Sequence, residues 1–184
     1  MLNEAKMQAI RKQRGFTLVE LMIVVTITAI LLKLAVPAFQ DVIRNNKVQT
    51  AANSLASAIS AARSEAVKRG TYVSICPTTN NTSCTNSSTA WAGGWMVFVD
   101  SGATSDTDDT TTPTVGTVLL SGTTAPNLTT TETNSKSFLR FSSRGALTGA
   151  RNFTVKPSTC STGFTFYIVN VLAAGRPGVT TSKC

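Results

Sequence analysis

The chain contains no histidine, which removes Ser-His-Asp and Cys-His catalysis and imidazole-based metal sites at a stroke. Charged residues are scarce, at 14%. Thr, Ser and Asn fill the gap, a composition suited to an extracytoplasmic surface of short strands and polar loops. Lys and Arg are absent altogether between residues 70 and 135. The four cysteines, at positions 76, 84, 160 and 184, form no Cys-x-x-Cys pair. An even number at wide spacing points to two disulfides in an oxidising compartment, not to a zinc or redox site. A length of 184 residues allows one ordinary domain plus an appendage. The net charge of +8 permits anionic partners without identifying one. No nucleophile–base pair, phosphate loop or metal-ligand spacing stands out, so neither an enzyme nor a cofactor is expected.

What is present begins at the N-terminus. Residues 1–15 are polar, with Lys6, Arg11, Lys12 and Arg14 against Glu4, and a mainly apolar run follows from Phe16 to Phe39. A secretory signal places its small residue after the apolar stretch, whereas here Gly15 precedes it. The basic segment should stay in the cytoplasm by the positive-inside rule, which puts the rest of the chain outside. As a helix, the run from 16 to 39 would measure about 36 Å, enough to span a bilayer. Glu20 interrupts it, and a carboxylate in hydrocarbon costs about 2.5–3.5 kcal/mol on insertion scales. Cleavage after Gly15 would supply a partner, the new amino group of Phe16 on this subunit or a neighbour. Lys33 is placed to snorkel toward headgroups on the far side. Pro37 cannot donate to the carbonyl of Lys33, so a kink is expected there.

The run Arg14-Gly15-Phe16-Thr17-Leu18-Val19-Glu20 resembles the prepilin peptidase motif of type IV pilins and type II secretion pseudopilins. The resemblance implies that a prepilin peptidase cuts after Gly15 and N-methylates Phe16, and that Glu20 guides subunit docking. Pro37 matches the proline near the end of the family's hydrophobic segment. Three further stretches are similar to the GspH/FimT group: Ala62-Arg63-Ser64-Glu65-Ala66, Gly94-Trp95-Met96-Val97-Phe98-Val99-Asp100, and Gly175-Arg176. The implied fold is α+β and pilin-like, a long N-terminal helix packed on an antiparallel β head. Its implied organisation is a leader (1–15), a membrane and filament-core helix (16–39), an amphipathic helix (40–70) and a periplasmic β-rich head (71–184). The implied function is that of a minor pilin, first held in the inner membrane by a single pass and later part of a surface filament. Its implied partners are other major and minor pilins, the prepilin peptidase and inner-membrane lipid. A type II secretion pseudopilin is the alternative that the leader does not separate from it.

Beyond Pro37 the pattern remains helical. Val48, Ala52, Leu55, Ile59, Ala62 and Ala66 recur at steps of four and three, one apolar stripe. Basic Lys68 and Arg69 suit the last turn, and Gly70 is a natural stop. The period then changes to two. Strands are expected over Thr71–Cys76, Trp95–Val99, Val115–Leu120, Phe138–Phe141, Asn152–Lys156, Phe164–Val171 and Val179–Ser182, separated by turn-forming residues. Of the three connectivities open to four cysteines, Cys76–Cys84 and Cys160–Cys184 is the simplest. The second would fasten the C-terminus to the sheet, as the C-terminal bridge does in many pilins.

Two charge features remain. Asp100, Asp106, Asp108 and Asp109 crowd one loop, but lack the glycine and glutamate spacing of a calcium loop. From 133 onward the signs reverse, with Lys136, Arg140, Arg144, Arg151, Lys156, Arg176 and Lys183 and no acid. If these share a face they form an anion-binding patch, with duplex DNA as the candidate partner. Otherwise they meet acidic surfaces of neighbouring subunits, or strand alternation scatters them. DNA-binding competence pilins of the group use a Gly-Arg-x-Arg motif. Gly175-Arg176-Pro177-Gly178 keeps its first arginine and has glycine in place of the second.

Overall fold

The structure is a computed structural model that describes residues 15–105 and 111–184, the side chains of residues 37 and 38 excepted. The leader up to Arg14 and the acidic residues Asp106, Asp108 and Asp109 lie outside the described residues. The chain divides into two compact units, one up to Gln40 and the other Asp41–Cys184.

Helix α1, Leu18–Arg69, belongs to both units. The backbone N–H of Glu20 donates to Thr17 Oγ1 at 3.2 Å, so Thr17 caps the helix start, with Glu20 three residues on. The helical run continues through Pro37 without a break. It ends where Gly70 takes a left-handed φ of 63°, and Thr71 N–H closes back on the Ala66 carbonyl.

In the second unit the expected apolar stripe is buried in full, from Val48 to Ala66. It packs with the inner faces of two four-stranded antiparallel sheets. One sheet has the order β3-β2-β1-β5, where β1 is Val73–Pro77, β2 Trp95–Asp100, β3 Val115–Gly122 and β5 Leu139–Phe141. The other has the order β4-β6-β7-β8, where β4 is Leu128–Glu132, β6 Arg151–Pro157, β7 Thr165–Val171 and β8 Pro177–Lys183. Val73, Ile75, Val97 and Phe141 from the first sheet join Phe153, Val155, Val169 and Val171 from the second in a single cluster with α1. Trp91, on a short 3-10 turn (Ala90–Ala92), closes this cluster edge-on against Phe153, ring centroids 4.8 Å apart.

The first sheet is covered on its other face too, which explains why every residue of β1 is buried. Cys76, Met96, Phe98 and Phe138 form a second small core there, with Cys84 and Val115 against it. Cys76 is joined to Cys84, Cα atoms 5.7 Å apart, so this bridge pins the 78–83 loop over that core. Within the loop, Asn80 Oδ1 accepts from the backbone N–H groups of Thr82 and Ser83, each at 3.0 Å. Cys160 is joined to Cys184, Cα atoms 5.5 Å apart, and the Cys184 N–H donates to the Phe164 carbonyl.

Seven strands fall where the alternating pattern placed them, with ends shifted by one or two residues. Strand β4 was not anticipated. Its sequence, Leu-Thr-Thr-Thr-Glu, carries one apolar residue, yet Leu128, Thr130 and Glu132 all face inward. Glu132 Oε2 accepts the Lys136 N–H at 2.8 Å, so the buried carboxylate has a partner that an apolar count misses.

Candidate assembly and anion-binding surfaces

The first unit presents its apolar side chains outward. Between Phe16 and Val36 the large hydrophobic residues are 50–83% exposed. This is one helix long and apolar enough to cross a membrane, by length and composition. Its polar interior groups are self-satisfied: Thr26 and Thr28 donate their hydroxyls to the carbonyls of Met22 and Val24, at 2.7 and 2.8 Å. That arrangement suits a medium without water, where an unmade hydrogen bond costs several kcal/mol. Glu20, in the first turn, is the acidic side chain in this surface.

The second unit gathers its charges quite differently from the sequence grouping. Arg140 is buried on the outer face of the first sheet, where its Nε donates to Asp100 Oδ2 at 2.7 Å. Ser74 Oγ donates to the same oxygen at 2.8 Å, while Asp100 Oδ1 accepts from Thr114 N–H at 3.0 Å and Gly102 N–H at 3.2 Å. Arg140 Nη2 also donates to the Thr111 carbonyl, and the guanidinium lies 5.2 Å from the Phe138 ring centre. This is a structural ion pair that holds both ends of the β2–β3 connection. Arg140 is therefore withdrawn from any exposed basic patch, and Asp100 from any open acidic loop. Arg151 is also buried, with Nη1 donating to the Ala150 carbonyl. Neither lay within reach of sequence reasoning based on local charge counts.

The remaining basic residues separate to opposite ends of the second sheet. At one end, Arg63 Nε on α1 donates to the carbonyls of Gly145 and Ala174, both at 3.1 Å. It thereby ties the β5–β6 and β7–β8 connections together. Gly175 must be glycine: its φ is 77°, and a Cβ there would lie 2.2 Å from the Gly145 carbonyl oxygen. This contact makes neighbours of the loops bearing Arg144 and Arg176, both exposed. Arg63, Ser64, Lys68 and Arg144 line an open concavity of about 470 Å³ at this end. Nearby on α1, Glu65 accepts from Arg69 Nε at 2.6 Å and lies 3.7 Å from Lys68 Nζ. The Arg69 hydrogen bond, helped by the Lys68 charge, holds the Glu65 carboxyl below its ordinary value of 4.5.

Lys156 and Lys183 lie at the other end. Thr165 pairs with Lys183, and Thr129 with Lys156, beside the loop that carries Cys160 and Phe164. Arg44 belongs to this end, its guanidinium 4.5 Å from the Phe164 ring centre. Among the described residues, no group of three or more His, Cys, Asp or Glu side chains is arranged to hold a metal ion.

These features can be set beside known proteins. The sequence profile described as type II transport protein GspH matches residues 51–175, and that of the prokaryotic N-terminal methylation motif matches residues 10–32. Pilin-like protein PilA1 of Thermus thermophilus is 35% identical over 91 residues, covering 50% of this chain and 51% of that protein. The chain thus spans about half the length of this relative. Two crystal structures of the type IV minor pilin FimU from Pseudomonas aeruginosa share the fold. One has a TM-score of 0.55 at 23% identity over 73% of this chain and 89% of the other. The second has a TM-score of 0.54 at 22% identity, over 72% and 91%.

Proposed function

This chain belongs to the GspH family and is a type IV pilin-like subunit, a minor pilin or pseudopilin; from that premise we propose that it primes assembly of a type IV pilus and remains at or near the filament tip. The family is one of structural, non-enzymatic proteins that assemble with other pilins. In this reading the work is association, not catalysis.

The observation that carries it is the outward-facing apolar helix with an acid in its first turn. Such a surface has two favourable surroundings, lipid and other helices of the same kind. In our reading prepilin peptidase cuts after Gly15, and Phe16 becomes the methylated N-terminus. The helix waits in the inner membrane with the head on the periplasmic side, then passes into the filament core. Glu20 meets the Phe16 amino group of a neighbouring subunit, so that two charges enter an apolar core as a pair. Removing one would leave the other buried and unpaired, the costly case.

A second reading has a specific observation in its favour. The contact of Gly175 with Gly145 brings the loops of Arg144 and Arg176 side by side, next to Lys68 on α1. A duplex phosphate backbone would fit this basic end of the head, as in a competence pilin. Lys156 and Lys183 would play no part, since they lie at the opposite end of the sheet.

The test is a clean deletion strain in which sheared surface pili, transformation and enzyme secretion are scored together. Loss of pili supports priming. Normal pili with lost transformation would replace it by the DNA reading. Normal pili with retained secretory enzymes in the periplasm would make the chain a type II secretion pseudopilin.

A further inference from the structure

The end of the second unit that carries Arg44 is chemically unlike the end that carries Arg63. Three connections reach the Arg44 end: residues 123–127, 158–164 and 78–94, the last also running past the outer face of the first sheet to the far end of β4, where the Ser88 carbonyl accepts the Glu132 N–H. They are joined by hydrogen bonds, from Thr124 Oγ1 to the Ala92 carbonyl and from Ser158 N–H to the Asn127 carbonyl at 3.0 Å. None of the three contains an aspartate or a glutamate. They consist mainly of Thr, Ser, Asn, Ala and Gly, with Cys84, Cys160, Pro126 and Phe164 besides and Trp91 turned inward. Around this neutral polar surface stand Arg44, Lys47, Lys156 and Lys183. Asp41 is the acidic side chain at this end, and even a carboxylate at Cys184 would leave positive charge in excess.

Two of these bases are held in place. Arg44 rests on the Phe164 ring, and Phe164 is fixed in turn by the Cys184 N–H and the Cys160–Cys184 bridge. Lys183 precedes Cys184 directly. Lys47, three residues further along α1 and a neighbour of Arg44 on the helix surface, lines a groove with Thr123, Thr124 and Ala125. Arg44 and Lys47 thus stand together at the start of the part of α1 that belongs to the second unit. Arg44 and Lys47 also follow Phe39, the last residue of the apolar run, in the same helix.

We propose that this end of the head is a docking surface for anionic phospholipid headgroups. The inference rests on the reading that residues 16–39 sit in a bilayer. Phosphate oxygens would accept from the guanidinium and ammonium groups, and the Thr and Ser hydroxyls would supply neutral hydrogen bonds. The absence of acids in all three connections removes repulsion from the same surface. A basic residue close to an anionic bilayer contributes about fivefold in affinity. Several together would hold the head against the membrane until assembly withdraws it.

The test uses the full chain in nanodiscs of phosphatidylcholine alone or with 30% phosphatidylglycerol, followed by amide hydrogen exchange. Phosphatidylglycerol should slow exchange about fivefold in residues 159–164 and 181–184, and 0.5 M NaCl should restore it. The double variant K47Q/K183Q, which leaves the Arg44–Phe164 contact in place, should lose the slowing. Arg176→Gln, at the opposite end, should retain it. Equal exchange in both lipids, or a loss caused by Arg176→Gln alone, would overturn the proposal. Failure of the chain to enter either bilayer would overturn the membrane reading itself, an outcome distinguishable from insertion without lipid selectivity.

Discussion

The two units of this chain solve opposite problems with similar residues. In Asp41–Cys184 the apolar side chains turn inward, and one stripe of α1 is buried by two sheets. Up to Gln40 the same kind of helix exposes Leu, Ile, Val and Met around its circumference. The difference lies in the period. From Val48 onward apolar residues recur at three and four, so one face is apolar and folding can bury it. Between Phe16 and Val36 they are nearly continuous, so no single packed face could satisfy them. The first pattern makes a domain. The second makes a component that is completed by lipid or by other subunits.

The comparison can be broken most severely at Gly15. Gly15→Val should abolish maturation, seen as an unshifted band on a gel, while leaving the melting temperature of the head unchanged. Normal processing would remove the leader assignment. Within the head, Arg140→Ala leaves Asp100 buried without its charge partner, and should cost about 3–5 kcal/mol in chemical denaturation. A loss below 1 kcal/mol would show that water reaches the carboxylate.

Smaller effects sharpen the same contrast. Replacing Cys160 and Cys184 by serine should cost about 3 kcal/mol, and replacing Cys76 and Cys84 somewhat less. The first pair closes a loop of 24 residues and the second a loop of 8. The reverse order would show that the small core beneath Cys76–Cys84 depends on its bridge beyond chain entropy. The smallest effect should come from Glu65. Its carboxyl is held below 4.5 in the folded state by Arg69, so the pair stabilises the head above about pH 4.5. That contribution is lost as pH falls through the folded value. Glu65→Gln should therefore lower the melting temperature slightly at pH 6 and by less at pH 3. An equal effect at both pH values would assign the loss to packing.

Much of this architecture was legible in the sequence because it is periodic. The first half of the helix follows from its unbroken apolar run, and the second half with its buried stripe from spacing at three and four. Seven strands follow from alternation. Strand β4 escaped because Thr130 and Glu132 occupy the positions where alternation looks for apolar residues, and one oxygen of the inward carboxylate accepts a backbone N–H from four residues away. The basic segment after residue 133 was legible as charge but not as geography. Neighbours in sequence alternate between sheet faces, and each strand carries the chain from one sheet end to the other, so Arg176 stands just before β8 and Lys183 ends it. Arg140 had a usable signal. It stands between Leu139 and Phe141 in a fully buried strand, while Asp100 ends the apolar strand Trp-Met-Val-Phe-Val. An arginine and an aspartate each embedded in apolar strands are more economically explained by one another than by solvent.

The most direct test of the central claim is the amount of this subunit recovered in sheared filaments from cells carrying Glu20→Ala. The account predicts a chain that is processed after Gly15, retains a fully stable head, and is absent from the filament fraction. Normal recovery of the Glu20→Ala chain in filaments would contradict it, because the acid in the apolar surface would then have no part in assembly.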